Sequence, residues 1–206
     1  MGDIVKNTLT ASLSLCLKSD RIHRFFSLLQ HGVMVRTRVG CSIRMLLCNE
    51  FGLSPEYVED RIKTVFLDGK PVDDVDSAII KDRSTLALSA AMPGLVGATL
   101  RRGGELASLR SEITYREEKR DLSRRDGIVI LKLFNLLLNE LGPTFLKEGV
   151  LVRGEDLKSL LMSLPEEFWT GCKGAKVDGQ EVDPGYLLGM KWLGRYELVM
   201  LRVDSH

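Results

Sequence analysis

The chain has 206 residues, enough for one large domain or two of the common size near 100 residues. Its 29 Lys and Arg balance 28 Asp and Glu, and a net charge of +1 excludes a whole-molecule field that would steer it to nucleic acid or an anionic membrane. Apolar residues at 44% and aromatics at 6% fit a packed globule rather than a disordered or fibrous chain.

Taken in order, Leu9, Ala11, Leu13, Leu15 and Leu17 alternate with Thr10, Ser12, Ser14 and Cys16, which predicts a strand with one face in a core. Asp20 is placed to cap a helix carrying Ile22, Phe25, Phe26 and Leu29 on one side, with Gly32 ending it before a strand from Val33 to Val39. A second helix is expected from Ser42, with Ile43, Leu46, Leu47 and Phe51 apolar and Gly52 as its stop. Ser54 then caps a short turn with Pro55 in the first helical position. A strand from Thr64 to Leu67 leads into Asp68-Gly69, whose residue types suit the positive backbone angles of a tight hairpin, and Val72 begins the return. An alternating strand centred on Leu88 and a glycine-rich apolar loop follow.

Much of this is written twice. Gly32-Val33-Met34-Val35-Arg36, Pro55, Phe66-Leu67-Asp68-Gly69 and Val72-Asp73 are matched in order by Gly149-Val150-Leu151-Val152-Arg153, Pro165, Lys176-Val177-Asp178-Gly179 and Val182-Asp183. The second copy is read as a strand from Ile128 to Leu133, a helix from Phe134 to Lys147, a strand from Val150 to Val152, a helix from Glu155 to Met162, a hairpin, and a last strand from Glu197 to Val203. Phe134 to Leu138 is apolar all round, so strand and helix both remain open there. The expectation is an α+β chain of two tandem units, each β-α-β-α-β-β: residues 1–104, a charged connecting helix over 105–125, and residues 126–206. In the connector, Leu106, Leu109 and Ile113 fall at helical spacing, and Arg124-Arg125 is offset by Glu117, Glu118 and Asp121.

Cys16, Cys41, Cys48 and Cys172 form no Cys-x-x-Cys pair, and His23, His31 and His206 add no ligand-spaced cluster, so neither a metal nor a cofactor is expected. Cys41 and Cys48 are read as one helix face, with a core role favoured over a redox pair. No secretory leader is seen and the thiols are unpatterned, which makes the cytoplasm the expected compartment. The uncharged run from Ser84 to Leu100 is interrupted by Pro93-Gly94 and Gly97, too short and broken to cross a bilayer.

Phe66-Leu67-Asp68-Gly69, then Ile80-Lys81-Asp82-Arg83-Ser84, the strand Thr85 to Ser89, and Pro93-Gly94 together resemble the β-grasp, or ubiquitin-like, fold. Within it they are similar to the bacterial sulfur carriers of molybdopterin and thiamine synthesis. The resemblance covers Val33 to Gly94 and implies a carrier whose free C-terminal glycine carboxylate is adenylated and converted to a thiocarboxylate. The chain departs from it by ending Val203-Asp204-Ser205-His206.

Leu100-Arg101-Arg102-Gly103-Gly104 has the letters of such a tail, but internally, where a glycine hinge explains it as well. Pro93, Gly94, Leu95, Val96, Gly97, Leu100, Arg101 and Arg102 form the candidate binding segment, because apolar residues on a surface loop mark contact surfaces. Asp73, Asp74 and Asp76 are read as a polar hairpin return rather than a cation loop. Phe168 and Trp169 are read as core. The leading expectation is a non-enzymatic protein with a protein partner, no membrane and no nucleic acid, with self-association left open. The alternatives are a precursor cleaved after Gly104, and an enzyme using Cys41 or His23.

Overall fold

The computed structural model describes residues 10–110, 113–115, 123–189 and 192–206. The N-terminal half begins with β1 (Thr10–Leu17), a 3-10 run (Ser19–Phe25) and α1 (Phe26–His31). It continues through β2 (Val33–Val39), β3 (Cys41–Ser42), α2 (Ile43–Met45) with a π-helical turn (Leu46–Glu50), and α3 (Pro55–Asp60). Strands β4 (Thr64–Leu67), β5 (Lys70–Pro71), β6 (Ile79–Ile80) and β7 (Thr85–Ser89) follow, then α4 (Gly94–Leu100) and a 3-10 run (Glu105–Arg110). The C-terminal half holds β8 (Arg125–Phe134), α5 (Leu136–Glu148), β9 (Val150–Arg153), α6 (Gly154–Ser163), α7 (Glu166–Trp169), β10 (Cys172–Val177) and β11 (Gln180–Val182). It ends with α8 (Pro184–Leu188), a 3-10 turn (Leu193–Arg195) and β12 (Leu198–Ser205). The chain is therefore α+β with mixed sheets, and no described helix is long and apolar enough to cross a membrane.

Local chemistry accounts for most boundaries. Ser42 and Ser54 cap as expected, their hydroxyls accepting the backbone N–H of Met45 at 3.2 Å and of Tyr57 at 3.1 Å. Asp20 does not cap: the 3-10 run starts a residue earlier, Lys18 holds the cap position, and no side chain bonds there. The helix expected from Ser42 makes one α turn and then widens, the Phe51 N–H reaching back five residues to the Leu46 carbonyl. Cys41 consequently lies in β3 and not on a helix face shared with Cys48. The open question at Phe134 to Leu138 is resolved by Asn135, whose φ of 55° ends β8 and starts α5. Of the connecting helix, Glu105–Arg110 is 3-10. Glu117, Glu118 and Asp121 lie outside the described residues, and Arg124 is instead paired with Glu50 at 2.7 Å.

The chain forms two compact units, one of residues Met1–Val33 and Leu141–His206, the other of Met34–Glu140. In the first the strand order is β11-β10-β1-β12-β9. Its inward faces bury Leu13, Leu15, Leu17, Val199, Leu201 and Val203, with Phe25, Leu157, Leu161, Phe168 and Trp169 also buried. In the second the order is β2-β8-β7-β4-β5, and Val65, Leu67, Leu86, Leu88, Val129, Leu131 and Leu133 are buried, as are Ile43, Leu46, Leu47, Val58 and Ile62.

These units differ from the sequence segments 1–104 and 126–206, and strand pairing gives the reason. The opening strand of each half lies parallel to the closing strand of the other half: β1 to β12, and β8 to β7. The two Asp-Gly hairpins each hold a neighbouring strand. Asp68-Gly69 and Asp178-Gly179 adopt the same φ pair, 50° and 80°, the two successive positive angles of a type I′ turn. The Asp68 carboxylate accepts the N–H of Thr85 on β7 at 2.7 Å, whereas Asp178 accepts the N–H of Ser12 on β1 at 2.7 Å. The same aspartate thus pins a closing strand in one unit and an opening strand in the other.

Candidate functional site

Residues of the Met34–Glu140 unit form an open cavity of about 830 Å³, lined by Arg44, Glu59, Lys63, Asp73, Asp74 and Asp76 and by residues of the segment from Met92 to Leu106. Within that segment Gly94, Gly97, Arg101, Arg102, Gly103 and Gly104 reach the cavity, whereas Pro93, Leu95, Val96 and Leu100 do not.

The segment is not the loop its glycines suggest. Gly94 takes φ +79°, a left-handed angle that lets the chain turn sharply out of Pro93 into α4. Gly97 is buried, and a Cβ built on it would collide with the Met92 carbonyl, so the helix sits closer to the preceding backbone than any side chain allows. Leu95 and Val96 fall on the outer surface, 72% and 66% exposed. Leu100 is half-buried.

Arg110 holds the other end of α4. Its Nε donates to the Thr99 carbonyl at 2.6 Å, and its two terminal nitrogens grip Asp73 at 2.5 and 3.1 Å. The Arg110 side chain is only 4% exposed, so the ion pair is shielded on the arginine side and the fork geometry is fully used.

A second chain of charges crosses the floor. Arg44 donates from Nε to Asp76 at 2.6 Å and from Nη2 to Glu59 at 2.5 Å, and Glu59 also receives Arg102 Nη2 at 3.0 Å. The hydrogen bond from Arg44, aided by the charges of Arg102 and Arg44, holds the Glu59 carboxyl below the usual range against the opposing effect of burial. Asp74 is also held low, by hydrogen bonds from the Ser77 side chain and then from the Asp76 and Ser77 backbone. The aspartates of the hairpin return are thus engaged with arginines or with their own loop. Among the described residues no group of three or more His, Cys, Asp or Glu is placed to hold a metal ion.

The glycine pair is part of the same scaffold. The Arg102 N–H bonds the Lys63 carbonyl at 2.8 Å, its guanidinium bonds the Val58 carbonyl at 3.0 Å, and the Gly104 N–H returns to the Arg101 carbonyl at 3.2 Å. Gly103 takes φ +61°. Of the two adjacent arginines, Arg102 is 9% exposed and structural. Arg101 is exposed, lines the cavity, and its side chain has no hydrogen-bond or ion-pair partner among the described residues.

The residues considered for catalysis are placed otherwise. Cys41 is 4% exposed, and burial pushes its thiol up despite the nearby Arg124 charge, the opposite of what a nucleophilic cysteine needs. His23 is exposed on the 3-10 run. Phe168 and Trp169 are buried, as expected. Arg44, Glu59, Lys63 and Arg110 are the site residues that sequence reasoning missed. The one visible signal was Glu59 and Lys63 at a helical i,i+4 spacing, which reads as an ordinary solvated face. In comparisons with protein-family models, with curated proteins and with solved structures, the chain matches none.

Proposed function

We propose that this is a non-enzymatic binding protein that docks a protein partner on α4, with the partner's apolar side chains on Leu95 and Val96 and a polar group entering the adjoining cavity. The observation that carries the reading is the pairing of two exposed apolar side chains, 72% and 66% accessible, with a helix whose seat is fixed by Gly97 and Arg110. A preorganised apolar patch costs little ordering entropy on binding, and mobile surface apolar residues would not be held this way. The cavity wall carries both signs of charge, four cationic and five anionic side chains, which suits a mixed-charge protein surface better than a polyanion.

In the same reading the chain is a tandem β-grasp-like protein. Support comes from the shared order of elements in the two copies and the identical turn angles at Asp68-Gly69 and Asp178-Gly179. Gly103-Gly104 serves as a turn and not as a carrier tail: anchoring of Arg102 on Lys63, Val58 and Glu59 favours a fixed segment over a slim, free one. The test is site-specific photocrosslinking in the native cell, with the photoreactive residue at Leu95 or, as a control, at the equally exposed Met162 (66%). A discrete adduct at Leu95 and none at Met162 is expected, and it should weaken when Arg101 is changed to Glu. Adducts absent at Leu95, or identical at both positions, would overturn the reading.

A further inference from the structure

The sheet of the Met34–Glu140 unit has an outward face that the α4 reading leaves unused. Val65 and Leu67 on β4, Leu86 and Leu88 on β7, and Leu131 and Leu133 on β8 are buried in the core, so the residues alternating with them stand on the opposite side. Register aligns Thr64, Ser89 and Phe134 in one row across the three strands, and Phe66, Ala87 and Lys132 in the next. The strand β2 extends this face. A Cβ built on Gly127 would meet the Val39 side chain at 2.7 Å, which puts Val39 and Gly127 together on the core side. Arg36 and Arg38 on β2 therefore share the outward side with Lys132 and Phe134 on β8.

Aromatic and cationic side chains meet there. Phe66 and Phe134, both half-buried, line an open pocket of about 190 Å³ together with Ala87, Ser89 and Met92, and its accessible lining is wholly apolar. A closed cavity of about 150 Å³ accepts benzene, so this one has room for a flat heterocycle. Lys132 is half-buried and Arg36 and Arg38 are exposed, and none of the three side chains has a hydrogen-bond or ion-pair partner among the described residues. The one carboxylate at an outward position of these four strands is Asp126, at the start of β8. In the α4 cavity, by contrast, Arg44, Arg102 and Arg110 are each neutralised by Glu59, Asp76 or Asp73.

The cations also lead away from the pocket. Gly127, beside Val39, is seven residues along β8 from Phe134, about 23 Å of strand, so β2 runs back along β8 from that point. Lys132 lies next to the pocket, Arg36 further out and Arg38 furthest, a span that exceeds one nucleotide. A net charge of +1 supplies no long-range steering, but unneutralised cations at contact distance still displace counterions from a phosphate chain.

We propose that this face binds single-stranded nucleic acid. One base stacks against the phenyl rings in the Phe66–Phe134 pocket, and Lys132, Arg36 and Arg38 pair with phosphates along the same strand. The apolar lining offers a base its π-face and no hydrogen-bond code, so binding is tolerant of sequence. A duplex, whose bases are already stacked and paired, leaves the pocket empty.

The test is fluorescence anisotropy of labelled RNA and DNA single strands of about 12 nucleotides titrated with the full chain across a salt series, beside a duplex of the same sequence. Both single strands should bind, and the duplex at least about tenfold more weakly. Phe66→Leu and Phe134→Leu, which keep an apolar side chain, should each weaken binding at least about fivefold at an unchanged urea midpoint. Arg36→Gln combined with Arg38→Gln removes two exposed cations and should flatten the slope of log affinity against log salt by about 1.4, or about 0.7 per phosphate contact. No binding of either single strand at low salt, equal binding of single strand and duplex, unaltered affinity in both phenylalanine variants, or an unaltered slope in the arginine double variant would each overturn the proposal. None of these outcomes bears on the α4 docking surface, since Leu95, Val96 and Arg101 are left in place.

Discussion

Asp178 accepts a 2.7 Å hydrogen bond from the Ser12 backbone N–H, joining residues 166 positions apart, and the Asp178 N–H bonds the Ser12 carbonyl at 2.9 Å in return. This two-way clasp fixes β1 beside the β10/β11 hairpin. Asp178→Ala removes the carboxylate and also puts alanine in a left-handed turn, so a loss of about 2 kcal/mol is expected. Asp178→Asn, which tolerates the turn and can still accept the bond, should lose less than half of that. Urea unfolding followed by circular dichroism distinguishes the two.

Asp73→Ala should be costlier than its surface position suggests. It strips the partner from an Arg110 side chain that is 4% exposed, and an uncompensated guanidinium costs about 3 kcal/mol. The urea midpoint should fall with little change in slope, and α4 should lose protection from hydrogen exchange, since Arg110 also holds the Thr99 carbonyl.

Gly97→Ala forces a Cβ into the Met92 carbonyl. Overpacking against backbone cannot be relieved by a rotamer change, so a loss of about 1–3 kcal/mol is expected. The displaced helix should also reduce crosslinking at Leu95. A Gly97→Ala protein with unaltered stability and unaltered crosslinking would show that α4 has no fixed seat.

Thr64 is 1% exposed and its Oγ1 has no hydrogen-bond partner among the described residues. A buried hydroxyl without a partner is a net cost, and valine matches its shape. Thr64→Val should therefore raise stability by about 1 kcal/mol, read as a higher thermal midpoint.

Acid should weaken two arginine–glutamate clusters, Arg44–Glu59 and Arg61–Glu140, in a defined window. Glu59 is held below its ordinary value near 4.5 by Arg44, and Glu140 likewise by Arg61 and then Tyr57. A depressed folded-state value means that each contribution is present above the unfolded value and disappears as pH falls through the folded one. Stability should decline below about pH 4.5. Glu59→Gln should be less stable near neutrality yet lose less on acidification, and high salt should narrow the gap because Glu59 is half exposed. Thermal midpoints across this range give the comparison.

Much of the secondary structure was legible because its causes are local. Leu13, Leu15 and Leu17 alternate, Ser42 and Ser54 cap, and Asp-Gly turns are set by two residues. What period-2 alternation states is which face is buried, not which strand lies beside it; hence β1 could be recognised as a strand while its neighbours β10 and β12 could not. For α4 the difficulty was the reverse. Glycines at 94 and 97 read as a turn, which Gly94 does make with its φ of +79°, but Gly97 lies within α4, seated against Met92. Arg44 and Arg110 were invisible as site residues because nothing in their own segments indicates that Asp76, Glu59 and Asp73 would meet them.

The pairing of β1 with β12 also governs the order in which the unit of residues Met1–Val33 and Leu141–His206 can assemble. During translation β1 leaves the ribosome well before β12, the strand that runs parallel to it. The Met34–Glu140 segment has its own strands in hand well before then and is free to fold first. A nascent chain stalled before β10 should therefore carry β1, with its apolar Ala11, Leu13, Leu15 and Leu17, paired to neither of its neighbouring strands, a strand that a chaperone would have to shield.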